Sequence, residues 1–235
     1  MKTPDVIVFD VDGVLVEVTA SYREAIRATV RHFTGHDVSH KTIQDFKNQG
    51  GWNNDWDLSQ RLITDHGHGV TYDEVVRVFN QLFFGTNGDG LITREEWIPQ
   101  NGLLQTLNAT FSLAIFTGRF RYELDATLQR VGGNIRFDPI VAADDVVNPK
   151  PAPDGLHTIQ ERYHGKHLWY LGDTVDDARS ARAAQVPFVG IAARSNVSYT
   201  ETVELLKREG AFAVLQDVNE LPALLQSAAN QEKQA

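Results

Sequence analysis

The chain has 235 residues, with 31 acidic against 22 basic side chains, a net charge of −9 and an apolar fraction of 42%. This composition suits a globular protein and argues against wholesale disorder and against a nucleic-acid binder, which needs a basic face; it leaves an anionic substrate open, because local charge decides that. The absence of cysteine excludes disulfides, thiolate nucleophiles and Cys-ligated zinc, no apolar run approaches the roughly 18 residues of a membrane span, and the polar start without a signal-type apolar stretch predicts a cytoplasmic location.

In chain order, the first element is an apolar run at 6–10, which predicts a buried strand. About 100 residues of mostly helical patterning follow. Ser21-Tyr22-Arg23-Glu24 fits a capping box opening a helix striped by Tyr22, Ile26, Val30 and Phe33. Thr71-Tyr72-Asp73-Glu74 fits a second, followed by Val75, Val76, Phe79, Leu82 and Phe83. Then short apolar runs return at 111–116, 140–142, 168–171, 188–191 and 212–215. Helical patterns lie among them at 122–131, 176–184, 199–208 and 218–229. Such alternation predicts an α/β fold, a Rossmann-like doubly wound parallel sheet built from βαβ units. The expected division is a core of residues 1–15 and 100–235, with a helical cap of residues 16–99 inserted after the first strand.

Ligands of open α/β sheets bind at the carboxyl ends of the strands. Past the first run stands Asp10-Val11-Asp12-Gly13; past the second, Thr117-Gly118-Arg119; beyond the third, Pro149-Lys150-Pro151; past the fourth, Gly172-Asp173-Thr174-Val175-Asp176-Asp177. Each alone has a plain structural use, as a helix cap, a turn former or a solvated side chain. Together, in this order, they resemble the haloacid dehalogenase (HAD) superfamily of phosphatases, in its branch with a helical cap after the first motif. Here that first motif reads Val6-Ile7-Val8-Phe9-Asp10-Val11-Asp12-Gly13-Val14-Leu15.

The resemblance implies roles. Asp10 is the expected nucleophile, forming an aspartyl-phosphate, and Asp12 the general acid and base. Mg²⁺ is the expected cofactor, held by Asp10, the Asp12 carbonyl and Asp173, with Asp177 direct or through water and the choice between Asp176 and Asp177 open. Thr117 and the Gly118 N–H are expected on the phosphate, and Lys150 between Asp10 and the phosphate. Four carboxylates, Lys150 and Mg²⁺ sum to −1, which protonation of Asp12 brings to zero. Asp12 also disfavours dehalogenation, because a departing halide needs no proton. The expected activity is hydrolysis of a small phosphomonoester. A phosphomutase is the alternative enzyme, and phosphonate hydrolysis would need a cap lysine, for which Lys41 and Lys47 are the candidates.

Three features stay open. In the segment 46–58, Lys47, Asn53, Asn54 and Trp56 offer a cation, amides and a stacking surface for substrate, or the tryptophan packs the cap. Arg119 either reaches a substrate anion or closes a surface pair. The stretch from Gly85 to Glu96 imitates a calcium loop but has Gly85 where the first carboxylate belongs. It reads as a turn-rich hinge, or as the calcium sensor of a non-catalytic regulatory module.

Overall fold

The computed structural model describes residues 2–133 and 135–234. The chain divides into two compact units, one built from the segments up to Val16 and from Trp97 onward, the other from Glu17–Glu96.

The first unit is a six-stranded sheet made of β1 (Val6–Phe9), β4 (Ser112–Phe116), β5 (Ile140–Val141), β6 (Leu168–Gly172), β7 (Phe188–Ile191) and β8 (Ala213–Leu215). Its order is β5-β4-β1-β6-β7-β8, and every pairing is parallel. Two short strands, β2 (Val16–Glu17) and β3 (Glu96–Trp97), pair where the chain passes between units. All residues of β1, β6 and β7 are buried, which is why these strands read as unbroken apolar runs rather than alternating ones. Helices α5 (Leu103–Asn108), α6 (Arg121–Val131), α7 (Asp154–Arg162), α8 (Val175–Ala183), α9 (Tyr199–Arg208) and α10 (Leu221–Glu232) complete the unit. The sequence pattern did not announce α5 or α7. The first is six residues long, and the second buries only Gly155, Leu156 and Ile159, too few for a clear stripe.

The second unit holds α1 (Tyr22–Thr34), α2 (His40–Gln49), α3 (Asp55–Asp65) and α4 (Tyr72–Phe84), and α1 packs on α3 and α4. Its centre is aromatic: Tyr22 lies 4.2 Å from Phe83 between ring centroids, and Trp56 meets Phe79 edge-on at 6.4 Å. The box at Thr71 forms, with Glu74 Oε2 accepting from the Thr71 N–H at 3.0 Å. The box expected at Ser21 does not. Ser21 Oγ turns back to the Val18 carbonyl at 3.4 Å, and Glu24 pairs with Arg27 one turn on. A buried serine at ψ −89 lacks the extended backbone that points a capping hydroxyl at the helix.

Candidate active site

A parallel sheet sends every strand out on the same edge. Asp10 therefore follows β1, Thr117 follows β4 and Asp173 follows β6 at neighbouring positions of that edge. Lys150 arrives from the loop beyond β5, and Asp177 from the first turn of α8. The lysine links them. Its ammonium lies 2.8 Å from Asp10 Oδ1 and 2.7 Å from Asp177 Oδ1, and the side chain has no solvent exposure.

Burial alone would discharge that ammonium, but the two carboxylates outweigh it and hold Lys150 above its ordinary value. Burial pushes Asp10 up to about 7; Lys150 opposes this, while the charges of Asp177 and Asp12 add to it. Asp177 is also desolvated, yet Lys150 and hydrogen bonds from Tyr170 and Thr174 hold it below the usual carboxylate range. Tyr170 donates to Asp177 Oδ1 at 2.6 Å, and Thr174 donates to Oδ2 from its N–H at 3.0 Å and its hydroxyl at 2.7 Å. With Lys150, these four donors match the roughly four lone-pair positions of a carboxylate. The Lys150 ammonium also sits over the rings of Phe116 and Tyr170, 4.8 and 5.4 Å from their centroids.

Asp10, Asp173 and Asp177 each place an oxygen within 4.8 Å of the others, and this is the one such cluster of three or more among the described residues. An all-oxygen donor set of this kind fits a hard divalent cation. Two glycines make the approach possible. A Cβ on Gly13, at φ +70, would lie 2.2 Å from Asp173 Oδ2, and one on Gly172 would lie 2.5 Å from the Asp177 Cβ. Of the two acids left open by the sequence, Asp177 joins the cluster; Asp176 is buried but lies outside it. The 85–96 loop contributes nothing to a metal cluster, and Asp89 there accepts from the Asn87 N–H inside the loop at 3.4 Å.

Arg119 closes an ion pair, but a buried one at the strand end rather than one on the surface. It is buried, with Nε 2.8 Å and Nη2 2.5 Å from Asp12 Oδ1, and its Nη1 donates to the Thr127 hydroxyl in α6. This corrects the charge count. Adding Arg119 brings four carboxylates, Lys150, Arg119 and a dication to zero with every carboxylate ionised. Thr117, also buried, accepts the Arg119 N–H on Oγ1 at 3.1 Å, so its own O–H is left to donate. Gly118 lies between them, half-buried.

The residues expected at a substrate in the second unit have partners within it. Lys47 reaches Asp55 at 2.5 Å and the Asn53 carbonyl at 3.3 Å, and is mostly buried. Asn54 caps α3, accepting from the Trp56 and Asp57 N–H groups. Trp56 is 7% exposed, in the aromatic centre. Lys41 is exposed and pairs with Asp45.

The sequence reading missed Tyr170, Thr174 and Phe116. The first had a signal: a tyrosine in a strand buried on both faces must find its hydroxyl a partner. The second had one too, since Thr174-x-x-Asp177 is a capping-box pattern.

At the carboxyl edge of its parallel sheet the chain thus carries a buried Asp–Lys–Asp cluster and three converging carboxylates. Residues 4–185 match the family model of haloacid dehalogenase-like hydrolases, and the chain belongs to that family. It is 33% identical over 225 residues to an imidazoleglycerol-phosphate dehydratase of Phytophthora nicotianae, covering 89% of this chain and 49% of that protein. It is 34% identical over 99 residues to the phosphoglycolate phosphatase of Escherichia coli K12, covering 41% of this chain and 38% of that one. The chain thus spans half or less of the length of these relatives. Among solved structures, a HAD family hydrolase from Deinococcus radiodurans R1, crystallised with bound phosphate and sodium, superposes with a TM-score of 0.71 at 22% identity, covering 97% of this chain and 98% of the other; that likeness is one of fold.

Proposed function

We propose that the chain hydrolyses a small phosphomonoester with Mg²⁺, through a phosphoryl group carried on Asp10. The observation that carries this reading is the buried Lys150 ammonium 2.8 Å from Asp10 Oδ1, because an ammonium there restrains the nucleophile and attracts a phosphate dianion together. The phosphatase named among its relatives supports the substrate class.

Asp10 attacks phosphorus as the ester P–O bond breaks, and Asp12 gives the leaving alcohol its proton. The Thr117 hydroxyl, the Gly118 N–H and Lys150 hold the non-bridging oxygens. Water then attacks phosphorus, Asp12 takes its proton, and the bond to Asp10 breaks to release inorganic phosphate. Asp10, Asp173 and the Asp12 carbonyl would hold Mg²⁺, which supplies positive charge against the phosphate oxygens. Asp177, in the same cluster, would meet the cation directly or through water, and with its four donors it also fixes Lys150.

The test is turnover of 4-nitrophenyl phosphate with Mg²⁺ by the wild type and by Asp10→Asn. Loss of a nucleophile predicts a fall of at least about 10³-fold. Equal rates would remove Asp10 from the chemistry.

A further inference from the structure

We infer that Arg119 is a positioning residue for proton delivery, fixing Asp12 so that its Oδ2 faces the departing oxygen; this rests on the phosphatase reading above. The geometry is specific. Two N–H donors of one guanidinium, Nε and Nη2, converge on the same oxygen, Asp12 Oδ1. An oxygen accepting both is held against the guanidinium, which leaves Oδ2 as the oxygen that can face a substrate. The exposure agrees: the Arg119 side chain is 1% exposed and that of Asp12 33%, so the pair presents its carboxyl side to the solvent-open part of the site.

The guanidinium is itself held. Its Nη1 donates to Thr127 in α6, and its backbone N–H donates to Thr117 Oγ1. On the other side, the Asp12 backbone is set in a tight turn, with the Gly13 N–H donating to the Val16 carbonyl at 2.8 Å. Asp12 is thereby fixed at both ends, and the two residues that fix its carboxyl, Arg119 and Thr127, lie more than 100 positions away in sequence. A lysine would keep the charge but not the fork, since an ammonium offers no rigid pair of parallel donors.

A proton donor matters only when the leaving oxygen needs a proton. Nitrophenolate leaves without one, whereas an alkoxide does not. The experiment measures kcat/KM for 4-nitrophenyl phosphate and for glycerol 2-phosphate in the wild type, Arg119→Met, Arg119→Lys and Thr127→Val. The constant kcat/KM reports steps up to phosphoryl transfer, so hydrolysis of the shared intermediate does not enter. The ratio of the two values also cancels any loss of folded protein.

The ratio, aryl over alkyl, is expected to rise about 100-fold in Arg119→Met, the scale of general acid catalysis. Arg119→Lys should fall between this and the wild type. Thr127→Val, which removes one hold on the guanidinium without touching Asp12, should raise the ratio by roughly 3–10-fold, and it carries the test if Arg119→Met yields no folded protein. A ratio within about twofold of the wild type in all variants overturns the inference, including the case where both esters slow equally because Arg119 binds phosphate. Failure of the underlying reading looks different: the wild type would then hydrolyse neither ester, or Asp10→Asn would match it.

Discussion

Two helices, one in each unit, begin on the same local device. In α4, Thr71 and Glu74 exchange hydrogen bonds three residues apart; in α8, Thr174 and Asp177 do the same. The first box is exposed, and its carboxylate serves the helix alone. The second is buried, and its carboxylate also accepts from Lys150 and Tyr170. Both units carry exposed ion pairs, and the difference lies in the buried ones. In the helical unit most are local and exposed, such as Lys41–Asp45 and Arg61–Asp65 at four residues' separation, and pairs of this kind stabilise by about 0.3–0.5 kcal/mol. In the sheet unit the pairs Lys150–Asp10 and Arg119–Asp12 join residues 140 and 107 positions apart and remove charge from water. Desolvation there offsets much of the attraction. Charges gathered against that cost single out the sheet edge as the candidate active site, whereas capping and local pairing in the helical unit act on stability.

The largest contrast follows from removing a lysine from each region. Lys150→Met leaves Asp10 and Asp177 facing each other without their cation, and breaking a buried pair costs about 3–5 kcal/mol. Urea unfolding should show that loss, and turnover should fall by at least about 10²-fold. Lys41→Met, in the exposed pair, should change stability by about 0.5 kcal/mol or less. Similar losses in both would erase the distinction.

Metal withdrawal comes next, and its pH dependence has a definite sign. Burial raises the Asp10 carboxyl from 3.8 to about 7 in the protein without metal. Between those values the folded state holds a proton that the unfolded chain has released, so stability falls as pH rises through this window. Asp177, held low, contributes the opposite slope only below about pH 4, outside that window. A cation replaces the proton, so Mg²⁺ should raise Tm more at pH 8 than at pH 5. At about 100 times the dissociation constant the gain is about 2.7 kcal/mol, or roughly 5–10 °C for a chain of this size. Thermal scans with EDTA and with Mg²⁺ read it directly. Equal gains at both pH values would detach the metal from Asp10.

Asp10, Thr117 and Asp173 could be located from the sequence because each directly follows a mostly apolar strand, and sheet topology brings such ends to one edge; Lys150, in the loop beyond β5, was marked only by its two prolines. Arg119 was only half legible. Its place at a strand end was plain, but whether a cation turns to solvent or inward depends on Asp12 and Thr127, both distant or unremarkable in sequence. Tyr170 hid inside an apolar run as one more bulky residue, although its hydroxyl organises Asp177. The segment around Trp56 was legible only as a pair of alternatives. Of the two readings open for it, Trp56 takes the packing one, in the aromatic centre, and Asn54 caps α3, a use its letters did not announce. The Ser21 pattern matched a capping box in letters only, because the backbone entering α1 is bent the wrong way.

The two boxes allow the finest comparison, because one substitution probes both. Thr71→Ala removes a cap from an exposed helix and should cost about 1 kcal/mol. The Thr71 hydroxyl and N–H hold Glu74 below its ordinary 4.5, so this contribution is present above about pH 4.5 and is lost as pH falls through the lower folded value. Midpoints of urea unfolding at pH 7 and pH 3.5 should therefore differ less in Thr71→Ala than in the wild type, with kcat/KM unaltered. Thr174→Ala removes one of four donors from a buried carboxylate, and a hydrogen bond to a charged group is worth about 1.5–3 kcal/mol. It should also weaken Mg²⁺ activation by roughly 10-fold, the lower range for groups that orient a metal site. The same three-residue spacing then yields a stability change alone in one unit and a coupled change in stability and metal response in the other. If Thr174→Ala shifted stability and left the Mg²⁺ dependence of turnover untouched, Asp177 would be a helix cap that happens to be buried, and Lys150 would be held by Asp10 alone.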